Sequence, residues 1–307
     1  MPKTAFLFAG QGAQYPGMGQ SLYETSPAAR RVFQQAEALR PGTMEQCFAG
    51  SEETLRQTEN NQPCLFTVDL ACAAALTETG VQADCAAGFS LGEIAALAFC
   101  GLLSFEQAFS LVCRRGEWMA AAARRHPGEM SAVLRLDEET VTALCAGYSR
   151  VFPVNWNCPG QVTVAGEPGQ LADFEKQVAA AKGKAIRLKV SGAFHSPFMA
   201  ETADALSAYI RDLDFAPPRI PLYANATAAL YGDPRVLTPL QVKSPVLWQK
   251  TMENMLADQV NVFVELGPGH TLSGFLRKMP GVFRCMNVEN ADTCQKAALD
   301  VKGLCHD

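Results

Sequence analysis

The segment that most constrains this chain is Gly88-Phe89-Ser90-Leu91-Gly92-Glu93, a Gly-x-Ser-x-Gly pattern set between a small apolar run (Cys85, Ala86, Ala87) and a helix-like run over residues 94–99. Glycines on either side let the backbone bend tightly from strand to helix and leave the serine hydroxyl exposed. Ser90 is then a candidate nucleophile. The following helix adds its N-terminal partial positive charge, and the N–H of Leu91 points where a carbonyl oxygen would become an oxyanion. The competing reading is an ordinary glycine turn, against which the strand-like and helix-like flanks weigh.

A second loop of the same kind lies at the start of the chain. Residues 4–8 form a short apolar run ending in Gly10-Gln11-Gly12-Ala13-Gln14, read as a buried strand followed by a tight loop. Loops at the carboxyl ends of strands are where α/β folds place chemistry. The dinucleotide fingerprint is not met, since Ala13 and Tyr15 stand where later glycines would be needed.

At 307 residues with 48% hydrophobic content, the chain can bury one large domain or a large and a small one. The formal charge of -5 and the absence of a Lys/Arg-rich block do not suggest a nucleic-acid surface. Eleven cysteines, scattered and odd in number, read as reduced buried thiols. No Cys-x-x-Cys occurs and the four histidines (His126, His195, His270, His306) lie far apart, so no metal site is expected. Cys113, beside Arg114 and Arg115, is the one thiol whose surroundings could lower its pKa, although a residue on a helix face is the plainer reading. The N-terminal apolar run is too short for a signal peptide, and the Ala-rich run at 70–76 is far below membrane-spanning length, so a cytoplasmic chain without membrane association is expected.

Along the chain, residues 21–48 read as mostly helical with a break at Pro41-Gly42, and Pro63 is read as opening a long buried helix through Leu76. Residues 81–87 supply the strand that delivers Ser90. A further helix starts near Ser104, where Ser104 and Gln107 form a capping box. Between Met130 and Ser191 the pattern changes to strand (130–136), helix (137–145), two strands (151–157 and 161–166) across Cys158-Pro159-Gly160, helix (168–182) and strand (185–190). That β-α-β-β-α-β order is the signature of a ferredoxin-like subdomain. The expected division is residues 1–128 and 192–307 for a large α/β subdomain, with 129–191 inserted and a cleft between the lobes.

A serine hydroxyl needs a base within hydrogen-bond reach. His195, in Gly192-Ala193-Phe194-His195-Ser196-Pro197 between a strand and a helix, is the best candidate. A histidine that merely caps the following helix is the alternative.

Taken together and in order, Gly10-Gln11-Gly12-Ala13-Gln14, Gly88-Phe89-Ser90-Leu91-Gly92-Glu93, Arg115-Gly116, Gly192-Ala193-Phe194-His195-Ser196 and Glu265-Leu266-Gly267-Pro268-Gly269 resemble the malonyl-CoA:acyl carrier protein transacylases. The resemblance implies an α/β-hydrolase-like large subdomain carrying a ferredoxin-like small one. It implies Ser90 as nucleophile, His195 as base, and the N–H groups of Gln11 and Leu91 as the oxyanion hole. Malonyl-CoA would be substrate rather than cofactor, and no cofactor is implied. Acyl carrier protein would be the partner, receiving the malonyl group on its phosphopantetheine thiol in a ping-pong cycle.

Gln241 matches the position whose carbonyl, in backbone or side chain, orients the histidine. Arg115 matches the arginine that binds the free malonyl carboxylate, a charge-assisted contact worth on the order of 1.5–3 kcal/mol. Phe194 fits the malonyl-accepting form of its motif and would crowd a branched acyl group. Phe89 departs from the pattern, which usually has histidine there, and bears on the acyl pocket. Lys182, Lys184, Arg187 and Lys189 are candidates for contact with an acidic carrier, with an ordinary solvated face as the favoured reading of any single one. The simplest expectation is a monomer. Alternatives are a trans-acting acyltransferase of a polyketide or polyunsaturated lipid synthase, an acyl-carrier-protein acyl hydrolase, and a non-enzymatic carrier-binding module.

Overall fold

The computed structural model describes residues 2–190 and 192–304. The chain opens with β1 (Lys3–Phe8), then α1 (Gln20–Thr25), α2 (Pro27–Leu39), α3 (Thr43–Ala49), α4 (Glu52–Arg56) and α5 (Thr58–Glu78) before β2 (Cys85–Gly88), α6 (Leu91–Phe99) and α7 (Phe105–Arg125). The small sheet follows as β3 (Glu129–Leu134), α8 (Glu138–Cys145), β4 (Val151–Cys158), β5 (Gln161–Gly166), α9 (Pro168–Ala180) and β6 (Lys184–Arg187). The chain then returns through α10 (Ala200–Ile210), β7 (Leu222–Tyr223), α11 (Pro234–Lys243), α12 (Trp248–Ala257), β8 (Val260–Leu266), α13 (Thr271–Leu276), β9 (Arg284–Val288) and α14 (Ala291–Leu304).

The larger sheet is parallel throughout, in the order β7-β2-β1-β8-β9. Alternation along β1 gives it two covered faces: Phe6 and Phe8 join the core with α5 and α6, while Ala5 and Leu7 join Trp248 and Phe263 on the other side. Such two-sided burial is what a parallel sheet requires. In register, Phe8 lies opposite both Gly88 and Leu266, so the loops after β1, β2 and β8 leave the sheet side by side. Ligand sites in parallel α/β sheets lie at these carboxyl ends.

The smaller sheet is antiparallel in the order β4-β5-β3-β6, with α8 and α9 as its helices. This is the strand order of a ferredoxin-like unit, as the alternation of elements predicted. It is stitched to the rest of the chain through β4: the N–H of Trp156 donates to the carbonyl of Val246 (2.9 Å), and the N–H of Val246 donates to that of Val154 (2.9 Å).

The capping box is formed, with Ser104 Oγ accepting from the N–H of Gln107 and the Gln107 side chain from that of Ser104. Pro63 does not open its helix. It lies inside α5, which starts at Thr58. There it removes only the bond to the carbonyl of Glu59, a loss that tertiary packing of the buried helix outweighs. The strand before Ser90 begins at Cys85 rather than residue 81, and α12 begins at Trp248 after Pro245. Three elements, α11, β9 and α14, were not expected from the sequence. Among the described residues no helix is long and apolar enough to cross a membrane.

Candidate active site

Ser90 sits between the end of β2 and the first residue of α6 with φ 54° and ψ -105°. A non-glycine residue rarely adopts such a backbone, so the surroundings must hold it there. The flanking glycines are required by space: a Cβ on Gly88 would fall 2.0 Å from the carbonyl carbon of Gly92, and one on Gly92 would fall 2.3 Å from the carbonyl oxygen of Phe8. The elbow can therefore press α6 directly against the ends of β1 and β2.

His195 follows β6 in a loop of its own, with φ 59°, and its N–H donates to the carbonyl of Val242 at 3.1 Å. The ring is fixed at both nitrogens. Nε2 lies 2.6 Å from Ser90 Oγ, and Nδ1 lies 2.9 Å from the main-chain carbonyl oxygen of Gln241. A carbonyl can only accept, so Nδ1 carries the proton and Nε2 presents its lone pair to the serine hydroxyl. Burial, and then the charge of Arg115, push the imidazole down to about 4. It is neutral at physiological pH.

Arg115 extends from the middle of α7 and is buried. One terminal nitrogen donates to Gln62 Oε1 at 2.7 Å; the other reaches Gln241 Oε1 at 2.9 Å and Ser90 Oγ at 3.2 Å. Burial lowers its pKa to about 10, opposed by Glu93, so the guanidinium stays charged beside the nucleophile. Its Nε has no hydrogen-bond partner among the described residues.

Gln241 thus acts twice. Its main-chain carbonyl receives the histidine proton, while its side chain bridges the arginine to the carbonyl of Ser90, to which Nε2 donates at 2.6 Å. Leu91 opens α6, so its N–H has no carbonyl one turn back to bond. Gln11 lies in the loop after β1, with its side chain donating to Thr58 Oγ1 at 3.3 Å.

These groups border a cavity of about 570 Å³ between the two sheets. Gln11, Phe89, Ser90, Phe194 and His195 line it from the large subdomain, and Met130, Asn155 and Asn157 from the small one. Phe89 is half-buried, its ring edge-on to Trp248 at 5.4 Å and tilted against Phe275 at 6.2 Å, so it both packs the elbow and faces the cavity. Phe194 is buried beside His195. Arg115 is not among the lining residues; it meets the cavity through the Ser90 hydroxyl.

Other residues singled out in the sequence fall elsewhere. Cys113 is not activated: burial pushes its thiol up to about 11. Arg114 pairs with Glu117 on the surface and His126 with Glu201. Arg187 is taken up by Glu129 and Glu175, whereas Lys189 lines the cavity. His270 precedes α13, and Ser191 and His306 lie outside the described residues.

Sequence reasoning missed Gln62, Asn225 and the part played by Glu93. Asn225 Oδ1 accepts the N–H of Ser90 at 2.7 Å across 135 positions, a contact that no local pattern announces.

A neutral imidazole on a serine hydroxyl at the mouth of an α/β elbow defines a class, the serine-nucleophile acyl-transfer enzymes. The chain belongs to a particular family within it: residues 5–285 match the acyl transferase domain family. It is 35% identical to the malonyl CoA-acyl carrier protein transacylase of Bacillus subtilis (strain 168), over 98% of each chain. The structure superposes on the malonyl CoA-acyl carrier protein transacylase of Clostridium perfringens with a TM-score of 0.94 and 33% identity, again over 98% of each chain. It also resembles a malonyl-transacylase solved in complex with a type II polyketide acyl-carrier protein, with a TM-score of 0.93 and 29% identity, over 97% of this chain and 99% of that one.

Proposed function

We propose that this chain moves a malonyl group from malonyl-CoA to the phosphopantetheine thiol of an acyl carrier protein through an ester on Ser90. The observation that carries this reading is the row formed by His195 Nε2, Ser90 Oγ and Arg115, with a base 2.6 Å and a fixed cation 3.2 Å from one hydroxyl oxygen. A base makes the serine a nucleophile; a buried cation beside it suits an acyl group that ends in a second carboxylate.

In the first half-reaction Ser90 Oγ attacks the thioester carbonyl as its proton passes to His195 Nε2. The N–H groups of Gln11 and Leu91 receive the negative charge on the carbonyl oxygen. Collapse breaks the carbon–sulfur bond, and the imidazolium returns its proton to the departing CoA sulfur. In the second half the pantetheine thiol gives its proton to His195 and its sulfur attacks the malonyl ester. Ser90 then leaves, taking that proton back.

Arg115 has a further effect on these steps. Its charge holds His195 down, so a malonyl carboxylate seated on the guanidinium would offset that charge just as the imidazole must accept a proton. An acetyl group brings no such compensation. Phe194 would narrow the cavity against a branched acyl group. The neutral Gln241 carbonyl behind His195, where hydrolases have a carboxylate, favours transfer to a bound thiol over attack by water.

Intact-protein mass spectrometry after brief exposure to malonyl-, methylmalonyl- and acetyl-CoA tests the reading. Wild type should gain one malonyl group, Ser90→Ala none, and Arg115→Ala should lose roughly 10–100-fold of the malonyl-over-acetyl preference. Preferential loading of acetyl on wild type would overturn it.

A further inference from the structure

The nucleophile's strained backbone is held by residues that touch neither the acyl group nor the base. Asn225 follows the short edge strand β7 and is fully buried. Its side-chain carboxamide spans the elbow: Oδ1 accepts the N–H of Ser90 at 2.7 Å, and Nδ2 donates to the carbonyl of Gly88 at 2.6 Å. Its main chain is equally committed, with the N–H donating to Glu93 Oε2 at 2.6 Å and the carbonyl accepting from Leu247 at 2.9 Å. Every polar group of this residue is used, which leaves it one position.

Glu93 is the other half of the clamp. It lies in the first turn of α6, buried, with Oε2 on Asn225 and Oε1 accepting from Tyr231 Oη at 3.2 Å. Tyr231 Oη is held in turn against Thr238 Oγ1 at 3.1 Å. We propose that Asn225 and Glu93 are positioning residues for Ser90, Asn225 by tying the Gly88 carbonyl to the Ser90 N–H across Phe89, and Glu93 by accepting from both Asn225 and Tyr231 and so fixing Asn225 in place. The inference rests on Ser90 being the acylated residue, as above.

The clamp carries a pH dependence. Glu93 must accept at both oxygens, and a proton on either removes one acceptor. Burial raises its carboxyl to about 7, opposed by the Asn225 N–H, the Tyr231 hydroxyl and the charge of Arg115. The titratable groups facing it are Arg115 and Tyr231, and the tyrosine is pushed far up by the same burial, so it does not titrate near neutrality. Protonation of Glu93 below neutrality therefore loosens the elbow. Glu93→Gln mimics the protonated carboxyl, with one acceptor and one donor where the clamp needs two acceptors, and abolishes the ionisation.

The test follows modification of Ser90 by phenylmethylsulfonyl fluoride and acylation by malonyl-CoA from pH 5.5 to 8.5, using wild type, Glu93→Gln and Asn225→Asp. Wild type should show a rate rising through a single ionisation near pH 7 with both reagents, and Glu93→Gln a flat profile at the wild type's low-pH level. Asn225→Asp, which lacks the donor to Gly88, should lose roughly 10²-fold in the acylation rate constant with KM for malonyl-CoA little changed. If it fails to fold, the Glu93→Gln profile decides alone. The same ionisation persisting in Glu93→Gln, or a folded Asn225→Asp reacting like wild type, would overturn the proposal. So would wild-type Ser90 that reacts with neither reagent. Sulfonylation without malonylation, with the pH difference intact, would instead overturn the malonyl reading and leave the clamp standing.

Discussion

The two flanks of the elbow at Ser90 are built from opposite materials. On one side His195, Arg115, Gln241, Glu93 and Asn225 form a buried polar network in which two carboxamides hold the peptide groups of the serine itself. On the other, Phe89 packs into a cluster with Trp248 and Phe275, where the Trp248 indole N–H is buried without a hydrogen-bond partner among the described residues. The polar flank fixes atoms through directed hydrogen bonds and responds to protons; the aromatic flank supplies apolar burial and should be indifferent to pH. Gly10 sits against the aromatic side, where a Cβ would fall 2.6 Å from the Phe89 carbonyl oxygen. The loop bearing Gln11 therefore rests on Phe89, and each flank supports one part of the reaction.

The contrast can be broken most forcefully through His195. Its folded pKa of about 4 lies below the ordinary 6.5, so above pH 6.5 both folded and unfolded chains hold it neutral and it contributes nothing pH-dependent. As pH falls from 6.5 to 4 the unfolded chain takes up a proton that the folded one refuses. Wild type should therefore lose about 3 kcal/mol relative to His195→Gln across that window, read as the difference in urea midpoints at matched pH. Equal pH dependence in the two proteins would mean that the ring is not held neutral by the network.

A smaller effect is expected from the aromatic flank. Phe89→Ala removes a half-buried ring and should destabilise by about 2 kcal/mol, less than a fully buried phenylalanine costs, with a loss that is the same at pH 6 and pH 8. A loss that varies with pH would tie Phe89 to the polar side. Smallest of all is Trp248→Phe. It deletes an indole N–H without a partner among the described residues, so the loss of ring volume is partly offset and the net change should stay within about 1 kcal/mol by thermal denaturation. A larger loss would show that the N–H has a partner in solution, such as a bound water.

The same division separates what was legible in the sequence from what was not. Ser90, His195 and Arg115 each sit in a local pattern, and the strand order of the small sheet follows from alternation of strand and helix. Gln241 was legible as a position. That its main chain serves the histidine while its side chain serves the arginine is set by the fold of α11 and not by residue type. Asn225 was invisible because its bonds span more than 130 positions, and Glu93 because its partner is a main-chain N–H, which any residue supplies. Pro63 misled for a local reason: proline ordinarily starts helices, and only packing of α5 on every side keeps it within one. Cys113 is the helix residue that the plainer reading expected, and burial rather than its neighbouring arginines dominates the thiol.

The register of the central strands bears on how the protein comes into being. Gln11 hangs from the end of β1 and Leu91 follows the end of β2, while the carbonyl that orients His195 belongs to residue 241 and the second neighbour of β1 is completed only at Leu266. During synthesis the serine is made early, yet it has no oriented base until most of the chain has followed, and its sheet is closed on only one side until later still. A chain that stops short of residue 241 thus lacks the carbonyl that orients the base of its serine. The oriented base therefore comes late in the order of synthesis, long after the serine itself.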